Sequence, residues 1–252
     1  MRTIKLAVLL VLASQGSWAA ETASFLGIGV GARALGMGGA YTALADDANA
    51  LYWNPAGLTK LEKREFTASH AEMFESTRLD FLAYAHPTPQ GTFAAGLTYL
   101  SQNKIDGRDG LGRRTPGYDA SDAALSLGYA RKLEIGDLGA TFKYLRSHIG
   151  STEAQGAALD VGAKRAFDRV SVGAALRNLG PGLKFQDQRN DLPMRLALGA
   201  AYKFAGGHAA AVELVNGPRG AGTDGSFGGE FQAVKNLYLR AGYTTQTAIT
   251  GG

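Results

Sequence analysis

Four histidines, His70, His86, His148 and His208, are the side chains of this 252-residue chain whose ordinary titration lies near neutrality, so they are the first place to look for chemistry. None sits in a Gly-x-Ser-x-Gly elbow or a His-Glu-x-x-His metal motif, and each lies in a separate segment. Ser69 stands beside His70, but neighbours on an extended strand point to opposite faces, so the two do not form a nucleophile and base. A lipid hydrolase assembled from adjacent strands is the enzymatic alternative. The histidines read instead as interfacial or loop residues, and no catalytic residue, metal ligand or cofactor is expected.

Phosphate binding is the second chemistry to weigh. Gly27, Gly29, Gly31, Gly36, Gly38 and Gly39 crowd one short stretch. The strict GxGxxG is absent, and only its Ala-ended form occurs, at Gly29 to Ala34. No Lys-Ser/Thr follows, and no strand–helix–strand context surrounds it. The glycines fit better a compact polypeptide threading a narrow space, where backbone must pack closely and adopt positive φ. Asp46 and Asp47 could cap a short helix over 48–53 or bind a cation, and capping is the expectation. Pro55 turns Asn54 away from helical angles and Gly57 permits a turn, so Asn54-Pro55-Ala56 reads as a rigid exit from this compact segment.

The surrounding sequence says where such a segment would sit. Met1 to Ala19 has a basic start at Arg2 and Lys5, an apolar run over 6–13 and a Ser17-Trp18-Ala19 close, so it reads as an export signal cut after Ala19. Removing it takes two of 26 basic residues, leaving 24 against 22 acidic ones, a balance that gives no case for nucleic acid. Cysteine is absent, which excludes disulfides and thiolate metal sites. Mean hydropathy is −0.09 and no apolar run after residue 19 is long enough for a spanning helix, so any membrane crossing must use strands.

Strands are what the rest of the chain encodes. Phe93, Ala95, Leu97 and Tyr99 alternate with Thr92, Ala94, Gly96 and Thr98, and the same period of two recurs around Leu125, Phe142, Leu159, Val172, Leu198 and Leu239. With segments at 64–71, 79–86, 208–215 and 227–234, eleven candidate strands result. Connections alternate long and short: 72–78 then 87–91, 102–120 then 133–137, 148–155 then 167–169, 179–192 then 205–207, 216–226 then 235–236. Short turns at one end and long loops at the other are the pattern of an antiparallel transmembrane β-barrel. With the short turns in the periplasm, the apolar faces meet outer-membrane lipid. Asp122, Lys143, Asp160, Lys164, Arg177, Arg195, Lys203 and Arg240 then line a wet lumen and pair across it. Eleven is an odd count and the last residues are loop-like, so the barrel is expected to be incomplete at its C-terminus or closed by a partner.

The string GARALGMGGAYTALADDANALYWNPAGL, within Phe25 to Leu58, resembles the N-terminal signature of the PorV/PorQ-type family in the wider FadL-like group of outer-membrane proteins. Its glycines Gly36, Gly38 and Gly39, the acids Asp46 and Asp47, and Trp53, Asn54, Pro55, Ala56 and Gly57 carry the match. The remainder is similar only in its strand pattern. The resemblance implies a barrel of about fourteen strands, about eleven of them present, with a hatch in its lumen. Expected domains are a signal over 1–19, a hatch over 20–62 and a barrel over 63–252. Expected function is passage of hydrophobic small molecules, with type IX secretion proteins as the alternative partners.

Overall fold

The computed structural model describes residues 22–108, 110–185, 188–218 and 222–245. The expected signal and the chain's last seven residues lie outside that range. The N-terminal segment, expected to form the hatch and given that name below, comes first: a 3-10 turn Ser24–Gly27, helix α1 Ala32–Gly36, helix α2 Ala50–Trp53 and a 3-10 helix Pro55–Lys60. The strands follow as β1 Glu65–Glu72, β2 Thr77–Thr88, β3 Gly91–Arg108, β4 Arg114–Leu133, β5 Gly136–Ile149, β6 Thr152–Phe167 and β7 Val170–Leu179. The series continues with β8 Leu183–Phe185, β9 Gln188–Asn190, β10 Arg195–Lys203, β11 Ala209–Gly217, β12 Gly222–Val234 and β13 Leu237–Thr244. Eleven of these form one antiparallel sheet in chain order, from β1 to β7 and then β10 to β13, while β8 and β9 make a separate hairpin. The fold is all-β, and among the described residues β1 and β13 are the two edges of the sheet. No described helix is long and apolar enough to cross a membrane.

The two faces of the sheet are reversed relative to a water-soluble protein. Leu125, Leu127, Phe142, Leu159, Val172, Leu198, Val212, Leu214, Phe227 and Leu239 all point outward and are exposed, Leu127 at 55% and Val212 at 58%. Aromatic side chains flank this band. Tyr84, Phe93 and Tyr129 lie toward the short turns, with the Phe93 and Tyr129 rings 4.9 Å apart, and Tyr99, Tyr144 and Tyr243 lie toward the other end. The six steps from Phe93 to Tyr99 span roughly 20 Å along a strand, close to the apolar band of a tilted membrane strand. The inward face carries Thr98, Ser126, Thr141, Lys143, Asp160, Lys164, Ser171, Arg177 and Arg195, all buried.

Three expectations need correction. The interior is dry where it was expected wet: Thr141 and Asp160 are 0% exposed and Lys143 is 3%, because the hatch packs directly on them. The long loops are shorter than expected, since β3 and β4 continue through most of 102–120, β5 and β6 through most of 148–155, and β11 and β12 through most of 216–226. Beyond the apolar band both faces of a hairpin are polar, so the alternation fades while the backbone still gains by continuing its ladder. The segment 179–192 holds the β8–β9 hairpin; Leu183 in β8 and Leu192 after β9 are fully buried in a cluster with Phe25, Leu26, Leu145, Ala154 and Ala158.

Candidate functional site

The hatch starts at the long-loop end, where Thr22 N–H donates to the Asp191 carbonyl at 2.9 Å and Thr22 Oγ1 donates to the Asn190 carbonyl at 2.8 Å. It descends to the short-turn end and leaves as Lys60 pairs with Asp137 at 2.6 Å. Its short helices bury little backbone of their own, so its orphan polar groups are met by the wall. Glu213, 2% exposed, accepts from Tyr41 N–H at 2.9 Å, Thr42 N–H at 2.7 Å and Thr42 Oγ1 at 3.0 Å. Ser171 Oγ donates to the Ala43 carbonyl at 3.0 Å, and Lys164 Nζ donates to the Ala45 carbonyl at 2.5 Å.

The motif residues take distinct places. Asn54, fully buried, donates through Nδ2 to the carbonyls of Thr42 at 2.9 Å and Ala163 at 3.3 Å, and its Oδ1 accepts from Ala56 N–H at 3.1 Å. The Asn54-Pro55-Ala56 step therefore crosses the hatch interior rather than leaving it, and Pro55 opens a 3-10 helix. Trp53 Nε1 donates to the Val30 carbonyl at 2.9 Å, and Tyr52 OH lies 2.8 Å from the Leu26 carbonyl. Burial pushes the Tyr52 phenol up to about 12, so it stays a donor. Neither acid caps α2, which starts at Ala50 rather than residue 48 and whose N-cap position, Asn49, has no side-chain cap; Asp47 Oδ1 accepts instead from Asn49 N–H at 3.0 Å, just before the helix. Asp46 instead pairs with Arg33 at 2.5 Å and Lys203 at 2.8 Å. Burial alone would raise its carboxyl, but these two cations outweigh burial and hold it below the usual range. Gly38, at φ 65°, turns the chain against the backbone of Gly242 and Tyr243. Gly36 packs on the Arg240 side chain, Gly39 on Trp53, and Gly57 on the Ala45 carbonyl.

The wall is cut to receive this path. Gly139 faces Gly162, Gly173 faces Gly199, and Gly228 faces Gly242, each a directly paired couple on adjacent strands. A Cβ on Gly139 or Gly162 would collide with Pro55 or Asn54, one on Gly173 with Thr42, and one on Gly228 or Gly242 with Met37. Only the missing side chain lets hatch backbone lie against strand backbone there. Near the short turns an ion-pair chain closes the seat: Arg33 to Glu230 at 2.9 Å, and Glu230 to Arg240 at 2.6 Å.

Of the expected lumen-lining cations, all five lie on the inner face. Lys203 and Arg240 are engaged as above. Lys143 Nζ meets Asp160 at 2.7 Å and the Asn178 Oδ1 at 2.8 Å, and lies 5.7 Å from the Tyr52 ring centre. Arg177 stacks over Trp53 at 5.3 Å. Arg195 stands opposite Arg177 in the β7–β10 register. Between these arginines and the hatch is a cavity of about 190 Å³, also lined by Leu26, Leu35, Tyr52, Trp53, Glu213, Val215 and Asp224. Asp122 lies higher on the same face, directly opposite Ser147.

Sequence reasoning missed Arg33, Asn178, Glu213, Glu230 and the three glycine couples. The couples did carry a signal, since glycine recurs mid-strand on the polar face of successive segments. The histidines stay apart: His70 pairs with Asp80 at 2.7 Å on the outer face while Ser69 points inward, His86 lies 3.3 Å from Tyr84 OH, His148 lies 3.5 Å from Glu153, and His208 stacks on Phe231. Among the described residues no group of acids and histidines is placed to hold a metal.

Residues 13–120 match a family described as an uncharacterised protein family, UPF0164. No curated protein matches the chain in sequence. In structure the chain is similar to the P. putida toluene transporter TodX, with a TM-score of 0.60 and 14% identity over 86% of this chain and 83% of that one. At that identity the likeness is one of fold.

Proposed function

We propose that this chain forms the wall and hatch of a FadL-like outer-membrane barrel through which small hydrophobic molecules pass. Residues 1–19 serve as export signal, 20–62 as hatch and 63–252 as barrel wall. The motif from Gly36 to Gly57 seats the hatch, and Lys143, Arg177, Arg195, Lys203 and Arg240 line the lumen. One observation carries this reading: the eleven-stranded sheet turns its apolar side chains outward and its buried charges inward onto a polypeptide plug. In water, exposing so many large apolar side chains would cost on the order of 25 cal/mol per Å², whereas acyl chains cover them. The likeness of fold to a toluene transporter supports the same reading.

Liposomes containing the protein test it. Toluene uptake should exceed that of empty liposomes, and Asn54→Ala, which removes the hatch's bond to Ala163 on the wall and an internal one to Thr42, should change the rate. Uptake no faster than through the bare bilayer sinks the proposal. The Phe25–Leu58 motif favours a second reading, a shuttle for type IX secretion cargo. Unchanged uptake together with lost surface cargo in a deletion strain selects that one. Ester hydrolysis abolished by His70→Ala would instead make the protein a lipid hydrolase.

A further inference from the structure

At the short-turn end, where β6 turns into β7, a recess of about 370 Å³ lies between the hatch and the rim of the wall. Four cations line it, Lys60, Lys164, Arg169 and Lys203, against two acids, Asp46 and Asp168. The three lysines come from separate elements: Lys60 ends the last 3-10 helix of the hatch, Lys164 stands near the end of β6, and Lys203 closes β10. Lys164 is 5% exposed, and its ammonium donates to the Ala45 carbonyl, a neutral acceptor. The acids around it are committed elsewhere. Asp46 gives one oxygen to Arg33 and the other to Lys203, and Asp137 pairs with Lys60. Asp168 and Arg169 are exposed neighbours of opposite sign in the turn and offset each other. A buried ammonium therefore lines open space with no counter-charge of its own, and a buried charge is costly until it is paired.

We infer that this recess binds a phosphate group with three free oxygens, held by Lys60, Lys164 and Lys203. The inference goes beyond the transport reading and takes from it only that the short turns face the periplasm. Such a group carries close to two negative charges and three strong acceptors, so it can answer three ammonium groups converging from different elements. A carboxylate supplies one charge and two oxygens in a plane, a geometry better met by a guanidinium fork. Phosphate bound there ties the hatch, through Lys60, to the wall strands that carry Lys164 and Lys203, so occupancy should stabilise the seat by mass action.

Sodium phosphate titrated calorimetrically into the full chain in detergent micelles, at an ionic strength held constant with sodium chloride, should bind saturably, with sodium acetate roughly tenfold weaker. Lys164→Met should weaken phosphate by roughly tenfold. Should that variant fail to fold, Lys203→Gln, at an exposed side chain, should weaken it by about threefold. Saturating phosphate should also slow protease cleavage of the hatch, with the same midpoint as the heat. A response that chloride reproduces, equal affinity for acetate, or unchanged phosphate affinity in the folded variant overturns the inference. Micelles doped with phosphatidic acid separate the two sources of such a group: competition with phosphate that Lys164→Met abolishes makes a lipid headgroup the occupant, and unchanged phosphate affinity makes it a soluble phosphate. If phosphate binds as expected while toluene uptake matches empty liposomes, the site stands and the transport reading falls. Uptake without phosphate binding gives the converse.

Discussion

Strands β7 and β10 hold two kinds of interior within one hairpin-like pair. At Gly173 and Gly199 the wall has no side chains, and the backbone of Thr42 and Ala43 lies against it. Four residues along, roughly 14 Å by strand rise, Arg177 and Arg195 stand side by side on adjacent strands and line a cavity. Glycine thus marks where the plug is fixed, and arginine marks where space is kept open. Close backbone packing and open space therefore fall at different levels of the same strands.

Substitutions at the two levels should therefore differ sharply. Gly162→Val drives a side chain into the Asn54 side-chain amide, which is held by its bonds to Thr42, Ala163 and Ala56, and against the Pro55 ring, and should cost about 3 kcal/mol in urea unfolding of the micellar protein. Gly229→Val, one position from the third couple but facing open space, is the control; equal losses at both sites would mean the seat is not tightly fitted. Glu213→Gln loses the charge on three hydrogen bonds to Tyr41 and Thr42 and should cost about 2 kcal/mol, with faster amide exchange confined to those two residues. Exchange spread evenly over the hatch would contradict a local anchor.

Acid should loosen the seat through Asp46. Its folded pKa lies below the ordinary 3.8, so its stabilising contribution is complete above that value and is lost as pH falls through the lower, folded one. Protease cleavage of the hatch should rise below about pH 3.8 in the native protein, and Asp46→Asn should flatten that rise. The smallest effect belongs to the cavity level. Arg177→Met gives up a stack on Trp53 but also removes a buried unpaired N–H, so stability should move by less than about 1 kcal/mol. A loss as large as that of Gly162→Val would erase the distinction between the two levels.

The sheet was readable because an apolar outer face and an inner face packed on the N-terminal segment impose a strict period of two, visible from Phe93 through Tyr243. Its extensions beyond the apolar band were not, because the sequence at 102–104, Gln-Asn-Lys, has no apolar residue to carry an alternation and a continuing ladder leaves no mark in hydropathy. The motif itself was plain, and so was the inner-face position of Lys143, Arg177 and Arg195. Their dryness was hidden, since Lys143 and Lys164 look alike whether they meet water or the hatch. Glu213 was hidden for another reason: it sits among Ala209, Ala211 and Val212 in a weakly patterned strand, and nothing local says that Tyr41 and Thr42, more than 170 residues earlier, will come to it.

The glycine couples also fix an order of events. Each couple exists only once its two strands have paired, and together they draw on β5, β6, β7, β10, β12 and β13. The hatch is synthesised before every one of them, yet its landing surface is finished only when the last is in place. Refolding followed through Trp53 should therefore lag behind the appearance of sheet, with the earliest-made segment the last to come to rest.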